Sequence, residues 1–281
     1  MSDSPQTWFI TGVSTGFGLE LSKLLLQQGR IVAGTARRPE DLAAFEALAP
    51  GRAHAFRLDL TEPHTIAPLV EQVIERLGHV DVVVNNAGYG TAGAIEEVTD
   101  EQIRRQMEVN FFGALAVMRA FLPHMRARRR GWILNLSSIA GVIANPGLGL
   151  YCASKFALEA VSEALAKEVA PLGVKVVIIE PGPFRTDFAG RSLAVAPVIP
   201  DYEATAGVMR RYFAQADGKQ AGDPVKAARA MIELVGMSDP PLRLAMGNRA
   251  VDLIRSKLES QLAELAKYEA WARSLDYDAS E

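Results

Sequence analysis

A strand-like run that leads directly into three spaced glycines lies near the start of the chain: Trp8-Phe9-Ile10-Thr11-Gly12-Val13-Ser14-Thr15-Gly16-Phe17-Gly18. The pattern predicts a β-strand over Trp8–Thr11 and a helix that begins near Phe17. Glycines at such a junction let the backbone approach a pyrophosphate, and the helix N-terminus offers it free N–H groups and a favourable dipole. Glycines alone could mark only a tight turn, but the flanking strand and helix favour a dinucleotide-binding loop, which includes Ser14 and Thr15.

The rest of the chain repeats the alternation of short β-branched runs and longer helical patterns. This order predicts an α/β fold: a Rossmann-type, doubly wound parallel sheet of about seven strands with helices on both faces. One run, Val80–Val84, is almost wholly apolar, as expected of a strand covered on both faces. The strand candidates are Trp8–Thr11, Ile31–Thr35, Ala53–Leu58, Val80–Asn85, Trp132–Leu136, Lys175–Glu180 and Leu242–Ala245.

No linker divides the sequence, so residues 1–281 are interpreted as one domain for cofactor binding and catalysis. The interval Pro183–Pro200 breaks the rhythm, because prolines and a glycine stand among its apolar residues. Long loops in compact domains are usually functional, so we expect a substrate loop within 183–216 that acts as a lid. Helical patterns follow at about Tyr202–Ala216 and Pro224–Val235, and a C-terminal helix is predicted over 248–275.

Composition restricts the class of protein. The chain is 49% hydrophobic and 22% charged with a formal net charge of -3, which is typical of a soluble globular protein and argues against nucleic-acid binding. The basic run Arg126–Arg130 is interpreted as a solvated helix end. The single cysteine, Cys152, suits a reducing compartment, and no signal peptide is recognised. Because no apolar run approaches the ~20 residues of a membrane helix, we expect a cytoplasmic protein that does not bind membranes.

The end of the second strand candidate indicates which dinucleotide is bound. NAD sites usually place an acidic residue there to hold the adenosine ribose, but Ala36 occupies the position. Arg37 and Arg38 follow it and can pair with a 2′-phosphate through charge-assisted hydrogen bonds. We therefore expect NADP(H) to be preferred, with NAD(H) still possible. The alternative is that both arginines are ordinary surface residues of a loop.

Several motifs, taken together and in this order, resemble those of the short-chain dehydrogenase/reductase family. The resemblance covers about Thr7 to Gly182, and the tail is similar to the steroid-dehydrogenase-like bacterial branch. It implies a nicotinamide-dependent oxidoreductase that acts on carbonyls or alcohols. The motifs are the spaced glycines, Asp59, Asn85-Asn86-Ala87-Gly88, Asn110, Ser138, Tyr151-x-x-x-Lys155, and Pro181-Gly182 followed by Thr186.

The chemistry can be reasoned from the residues themselves. Tyr151 and Lys155 lie four apart in a helical pattern, so their side chains share one face. A free phenol has a pKa of about 10, and a neighbouring Lys⁺ favours the phenolate and lowers that value. Tyr151 can then give a proton to a carbonyl oxygen or take one from an alcohol, while the Ser138 hydroxyl holds the same oxygen. Each residue alone has an ordinary structural explanation, but the set favours catalysis.

The resemblance implies further roles. Lys155 would also bond the nicotinamide ribose, and Asn110 would organise a proton relay through water. Asp59, with the adjacent Leu60, would contact the adenine. The other residues implied in the cofactor site are Asn86, Ala87, Gly88, Pro181, Gly182 and Thr186. No metal is expected, because the four histidines are not spaced like ligands.

The wall of the substrate pocket is predicted to be apolar, which suits a hydrophobic ketone, aldehyde or secondary alcohol. Ser138 and Tyr151 would face the reacting oxygen. The remaining candidates come from the chain after Ser138 and from the lid, and they are Ile143, Asn145, Leu148, Phe184 and Phe188.

The tail departs from the commonest family pattern, in which a glycine-rich end serves tetramer packing. We therefore expect a homodimer rather than a tetramer, formed through helices around Glu101–Arg126 and Tyr151–Ala170. Two other functions share the fold: a non-catalytic NADPH-binding regulator, and a sugar-nucleotide epimerase or dehydratase. Regulators often lose the tyrosine or the lysine, which this chain keeps, and the sugar-nucleotide enzymes are usually longer.

Overall fold

Seven parallel strands form the centre of the molecule, whose computed structural model describes residues 6–277. In chain order the strands are β1 (Thr7–Thr11), β2 (Ile31–Ala36), β3 (Ala53–Arg57), β4 (Val82–Asn85), β5 (Gly90–Ala92), β6 (Gly131–Leu136), β7 (Val174–Pro181), β8 (Leu193–Val195) and β9 (Arg243–Met246). The central sheet has the order β3-β2-β1-β4-β6-β7-β9. The chain therefore winds outward in both directions from β1 and β4, which confirms the predicted Rossmann-type sheet.

Helices connect these strands. They are α1 (Gly16–Gln27), α2 (Pro39–Glu46), α3 (Ile66–Leu77), α4 (Asp100–Met107), α5 (Gly113–Arg128), α6 (Gly149–Val169), α7 (Ala206–Ala216), α8 (Pro224–Val235) and α9 (Asn248–Arg273). A π-helical turn over Glu108–Phe112 joins α4 to α5. Within residues 6–277, none of the helices is both long and apolar enough to cross a membrane.

The helices cover both faces of the sheet. Trp8 and Ile10 contribute to the core layer under α1 and α8, whereas Phe9 contributes to the layer under α3, α5 and α6. All three side chains are fully buried. Because neighbouring residues of a strand point to opposite faces, one apolar run fills both layers, as the sequence predicted for a sheet covered on both sides.

The basic run at the end of α5 is more than a solvated helix end. Asp81 is buried just before β4, and its Oδ1 accepts hydrogen bonds from Arg128 at 2.9 Å and Arg130 at 3.2 Å. Its Oδ2 accepts a bond from the Thr7 N–H at 3.0 Å. Burial acts to raise the pKa of this carboxyl, but these bonds outweigh it and hold the pKa below its usual range. Two of the arginines therefore tie the end of α5 to the start of β1.

Residues 183–200, the predicted lid, contain regular structure that the sequence pattern did not indicate. Its strand β8 pairs in parallel with β5, and the two form a separate small sheet. At its start, the Gly222 N–H donates to the Pro183 carbonyl at 3.1 Å. At its end, a 3₁₀ turn over Pro200–Tyr202 precedes α7, which is why that helix begins at Ala206 and not at Tyr202. The segment thus joins the chain that follows β7 to the chain that follows β4.

Candidate active site

The glycine loop after β1 is packed too tightly to accept side chains. Gly12 and Gly16 have positive φ angles of 74° and 58°, a conformation that favours glycine. A Cβ on Gly18 would lie 2.2 Å from the Gly12 carbonyl oxygen and 2.5 Å from Nδ2 of Asn86. That amide donates hydrogen bonds of 2.8 Å to the carbonyls of Thr11 and Gly12, so it holds the loop against the end of β1.

The start of α1 opens onto the same loop. Thr15 at the N-cap makes no side-chain capping bond, Ser14 precedes it in the turn, and the first turn of α1 carries no acidic residue. The first N–H groups and the positive end of the helix dipole therefore suit an anion. Phe17, the second residue of this helix, turns its side chain toward the core layer under α8. The residues of the loop and helix fit the pyrophosphate of a dinucleotide.

The chain after β7 reaches this loop from the other side. Pro181 is the last residue of β7, and the Gly182 N–H donates to the Met246 carbonyl of β9 at 3.0 Å. Thr186 then lies opposite the glycine loop, with its Cβ 3.5 Å from the position of a Cβ on Gly16. The structure thus brings these three predicted residues to the carboxyl end of the sheet, where open α/β sheets bind ligands.

The two arginines after β2 differ in what they contact. Arg38 forms a bidentate salt bridge with Asp41, in which Nε and Nη2 each lie 2.8 Å from a carboxylate oxygen. This hydrogen-bonded pairing raises the pKa of Arg38 above its usual value. Arg37 has no such ion pair within residues 6–277, and its charge acts on the Asp59 carboxyl, whose pKa it helps to lower. Among residues 6–277, Arg38 is therefore engaged by a neighbouring carboxylate and Arg37 is not.

Asp59 and Leu60 follow β3, and their side chains have different surroundings: Asp59 bonds to Thr61, whereas Leu60 is buried in the core. Oδ1 of Asp59 accepts hydrogen bonds from Thr61 N at 3.0 Å and Thr61 Oγ1 at 2.8 Å. Burial acts to raise the pKa of this carboxyl, but the bonds from Thr61 outweigh it and the pKa is lowered. Leu60 is buried, and its Cβ lies 2.7 Å from the position of a Cβ on Gly113. Its side chain belongs to the core, so the predicted contact of Leu60 with the cofactor would have to come from its backbone.

The Asn86-Ala87-Gly88 motif lies between the end of β1 and helix α6. Thr11 Oγ1 accepts hydrogen bonds of 3.0 Å from the N–H groups of the first two motif residues. A Cβ on Gly88 would lie 3.2 Å from Oδ1 of Asn110 and 3.5 Å from Nζ of Lys155. Glycine at this position lets the two polar side chains approach the end of β4.

Ser138, Tyr151 and Lys155 come together at the end of β6. Ser138 follows that strand, and its Oγ accepts a hydrogen bond from Ala140 N at 3.1 Å. Tyr151 and Lys155 lie one turn apart in α6, and both are buried. Nζ of Lys155 donates to the Leu136 carbonyl at 2.7 Å, which fixes the ammonium beside the last residue of β6. The predicted sharing of one helix face is therefore confirmed.

The pKa values of this buried site differ from the sequence prediction. Burial raises the pKa of Tyr151 above its usual value and outweighs the opposing interaction with the Ser138 side chain. Burial also lowers the pKa of Lys155 to about 8, although the Glu159 carboxyl opposes this change. The expected lowering of the Tyr151 pKa by Lys155 is wrong for this arrangement. The reason is that the desolvation of the buried phenolate dominates.

Asn110 lies on the π-helical turn and joins three segments. Its Oδ1 accepts a hydrogen bond from Tyr89 N at 3.1 Å, and its Nδ2 donates to Tyr89 O at 2.9 Å and to Ser154 Oγ at 3.1 Å. Ser154 Oγ donates in turn to the Tyr151 carbonyl at 2.7 Å. Such turns often occur at functional sites, and this one fixes Asn110 relative to the catalytic helix.

An apolar cluster covers Tyr151. The Phe188 ring of the lid segment lies 5.3 Å from the Tyr151 ring, centroid to centroid, and the Phe213 ring of α7 lies 6.1 Å beyond it. Only 6% of Tyr151 is exposed. The other large members of the cluster are Leu148, Leu193 and Met209. Leu148 and Phe188 were predicted by name, whereas Met209 and Phe213 were not, although both lie within the predicted substrate loop 183–216.

The structure places Phe184 away from this cluster. Its ring packs against Phe17, with the centroids 5.1 Å apart, in the core layer under α1 and α8. Its prediction as a substrate residue is therefore not supported by its contacts. Ile143 and Asn145 lie in the loop between Ser138 and α6, where both are half-buried.

The comparisons with known proteins agree with this geometry. Residues 6–194 match the family model described as short chain dehydrogenase, which is more than half of the chain. The chain belongs to the short-chain dehydrogenase/reductase family. It is therefore an NAD(P)-dependent oxidoreductase that acts on CH–OH or carbonyl groups.

This short-chain dehydrogenase is similar to other proteins over nearly its whole length, as three relatives show. It is 37% identical over 261 residues to 3-ketodihydrosphingosine reductase of Bacteroides thetaiotaomicron, covering 92% of this chain and 94% of that protein. A short-chain dehydrogenase from Streptomyces avermitilis is 42% identical with a TM-score of 0.92, covering 98% of this chain and 100% of that one. A short-chain dehydrogenase from Burkholderia cenocepacia, in complex with NADP, is 25% identical with a TM-score of 0.73, covering 95% and 98%.

Behind Lys155, this short-chain dehydrogenase holds a carboxyl pair that the sequence analysis missed. Glu159 lies one turn after Lys155, Glu180 lies at the end of β7, and both are buried. Arg243 of β9 lies 3.0 Å from Glu159 and 3.6 Å from Glu180. Burial raises the pKa of Glu159, and burial together with the Glu159 charge raises that of Glu180 to about 7. Two features of the sequence could have indicated this pair. Glu159 stands four residues after Lys155, and Glu180 is an acidic residue at the end of an apolar strand.

Proposed function

We propose that this dehydrogenase interconverts a hydrophobic ketone or aldehyde and its alcohol with NADP(H), using Tyr151 as the acid and base. The observation that carries the proposal is the meeting of Ser138, Tyr151 and Lys155 under an apolar cover at the carboxyl end of the sheet. A polar trio beneath apolar walls suits a carbonyl group attached to a hydrophobic body. The name of the Bacteroides relative denotes a reductase of a keto compound, which supports the same substrate class.

In such a reaction each residue of the site would have a distinct role. NADP(H), when bound, supplies or takes the hydride. Tyr151 holds the proton that passes to the substrate oxygen, since the buried phenol, whose pKa lies above its usual value, is protonated at neutral pH. The Ser138 hydroxyl donates a hydrogen bond to the same oxygen and stabilises its developing charge. Lys155 keeps a positive charge near Tyr151 and binds the cofactor ribose, and Asn110 positions the helix that carries both.

The test is NADPH oxidation by the wild-type protein over a panel of hydrophobic ketones and aldehydes, with NADH alongside. Turnover with NADPH supports the proposal, and the best substrate begins to define the pocket. Tight NADPH binding without turnover of any substrate supports the alternative of a non-catalytic regulator on the same fold.

The two arginines provide a prediction about cofactor choice. Arg37→Ala is expected to weaken NADPH binding by about tenfold or more, because it removes a charge-assisted partner of the 2′-phosphate, and to leave NADH binding unchanged. Arg38→Ala is the matched control, and its effect should be smaller because Asp41 already engages that guanidinium. Dissociation constants from fluorescence titration decide the matter. Equal losses for both cofactors in Arg37→Ala would argue against an NADP(H) preference.

We also propose that residues 183–200 form a lid, and Glu97 holds it. The buried Glu97 carboxylate accepts hydrogen bonds from Ile199 N at 2.9 Å, from Arg210 Nη1 at 2.6 Å and from Ala94 N at 2.6 Å. Burial acts to raise its pKa, but these bonds outweigh it and the pKa is lowered. One charge therefore ties the lid segment and α7 to the chain that follows β5.

The lid hypothesis predicts a change in protease sensitivity. Glu97→Gln removes the charge that Arg210 faces, so cleavage within 183–200 should speed up several-fold, whereas Glu101→Gln, at an exposed position of α4, should change little. Timed proteolysis with mass analysis measures both. In the wild type, NADPH plus a competitive inhibitor should slow cleavage. Equal sensitivity with and without these ligands would count against a lid.

Other features of the proposal rest on the sequence. We propose one catalytic domain over residues 1–281 and a cytoplasmic protein, which the single, buried Cys152 supports. We further propose a homodimer through α4, α5 and α6. The exposed aromatic side chains of Phe112 and Phe156 support that interface.

A further inference from the structure

The long helix α9 extends beyond the body of the protein. Its first turn is anchored, since Ala250 is buried and the Arg249 guanidinium lies 5.8 Å from the centre of the Tyr212 ring. Ala250 is also the only buried residue of the helix. Every residue from 258 to 273 is exposed. At 1.5 Å per residue, most of a helix about 39 Å long therefore packs on no other part of residues 6–277.

The exposed part carries an apolar stripe. Its members recur every three or four residues, which places them on one side of a helix. Leu262 and Leu265 are 65% and 64% exposed, and the first half of the stripe faces an open groove beside β9. Soluble monomers rarely leave so continuous an apolar face uncovered, and another helix covers such a face well. The members of the stripe are Val251, Ile254, Leu258, Leu262, Leu265, Tyr268 and Ala272.

The charges beside the stripe change sign along the helix. Arg255 and Lys257 flank its first half, beside Glu259, whereas Glu264 and Glu269 flank its second half, where Glu269 also forms an exposed pair with Arg273 of its own helix at 2.7 Å. A parallel pair of such helices would place like charges together, and an antiparallel pair would place opposite charges together. The arrangement is therefore self-complementary in the antiparallel orientation. The other face of α9 carries both signs of charge, unlike the lysine- and arginine-rich face of a membrane-surface helix.

We propose that the exposed stripe of α9 packs antiparallel against the same stripe of a second copy of this chain. Leu262 lies near the two-fold axis of the pair, and Arg255 of each copy faces Glu269 of the other. The contact is separate from the interface proposed for α4, α5 and α6, because it uses none of those helices. The long tail then serves as an assembly element and takes no part in the reaction.

Light scattering on the full chain tests the contact. Leu258→Glu with Leu265→Glu places charges in the stripe and is expected to halve the mass of the assembly at micromolar concentration. Ala263→Glu, at an exposed position on the opposite side of the same helix, is the matched control and should leave the mass unchanged. NADPH binding should be kept by both variants, which shows that the body remains folded. An unchanged mass for the stripe variant would overturn the proposal.

Charge exchange and crosslinking test the antiparallel orientation. Arg255→Glu should weaken assembly, and Arg255→Glu with Glu269→Arg should restore it. Leu262→Cys should crosslink to its own copy with a short thiol reagent, whereas Ala272→Cys should not, because it would lie about 30 Å from its copy. The natural Cys152 is buried and does not compete. Crosslinking at 272 but not at 262, or stripe-dependent binding to phospholipid vesicles by a protein that does not self-associate, contradicts the pairing.

Discussion

Tyr151→Phe is expected to lower kcat/KM for ketone reduction by about 10²- to 10⁴-fold, because it removes the proton donor and leaves the ring in place. The phenol lies in a cluster with Phe188 of the lid and Leu148, and burial raises its pKa. Phenylalanine keeps the apolar contacts, so the fold and the NADPH dissociation constant should change little. Steady-state kinetics on the best ketone and a fluorescence titration with NADPH measure the two effects separately.

The matched control for this prediction is Tyr212→Phe. Tyr212 also packs on Phe213, with ring centroids 5.4 Å apart, but it belongs to α7 and lies outside the polar trio. Removing its hydroxyl should leave kcat/KM within about twofold. If Tyr151→Phe kept wild-type turnover, the acid would have to be another group and the proposed roles of Ser138 and Lys155 would lose their basis.

Among substitutions that add one methyl group to the glycine loop, Gly18→Ala is expected to lower NADPH affinity the most. The added Cβ would lie 2.2 Å from the Gly12 carbonyl oxygen, so the loop or the Asn86 side chain must move. Overpacking of this kind costs about 1–3 kcal/mol. Since Asn86 bonds hold the loop in the shape that suits a pyrophosphate, we expect NADPH affinity to fall by about tenfold or more and the melting temperature to drop.

Gly236→Ala is the control for the effect of adding a methyl group. Gly236 ends α8 with φ of -83°, and its nearest neighbour would be the Glu233 carbonyl oxygen at 3.3 Å. Because the backbone there suits any residue, NADPH affinity should be unchanged. Calorimetric titration and thermal melts of both variants make the comparison. Wild-type NADPH affinity in Gly18→Ala would show that the pyrophosphate does not depend on this loop.

The apolar cluster over Tyr151 restricts how a substrate can reach the phenol. Because only 6% of the residue is exposed, a substrate that reaches the phenol must displace Phe188, which the proposed lid movement of residues 183–200 would allow. Closure would then exclude water from the site and strengthen the bonds that Ser138 and Tyr151 make to the reacting oxygen. The ties at Glu97 and between β5 and β8 set how easily that movement occurs.

The main features of the fold could be predicted from the sequence because they depend on local patterns. An apolar run such as Trp8–Thr11 is buried on both faces wherever it occurs in a parallel sheet, and the glycines that follow it require the turn that they form. The four-residue spacing of Tyr151 and Lys155 likewise determines their shared face on α6. Motifs at strand ends meet at one edge of the sheet whatever the intervening chain does.

Contacts between distant segments could not be predicted in this way. Arg38 turned out to bind Asp41, and Phe184 packs against Phe17 and not against the substrate wall. Met209 and Phe213 joined the cover of Tyr151 only because α7 folds back over the site. The raised pKa of Tyr151 also could not be predicted from the sequence, because desolvation depends on all the residues that surround the phenol.

The parallel sheet, the dinucleotide loop and the polar trio follow from residue type and short-range spacing, so each could be predicted before the structure was known. The packing of distant segments was needed to show that Arg38 binds Asp41, which aromatic rings cover Tyr151 and which carboxyls lie near Lys155. These features depend on distances between residues far apart in the chain. Burial and charge act through such distances, and a sequence pattern does not specify them.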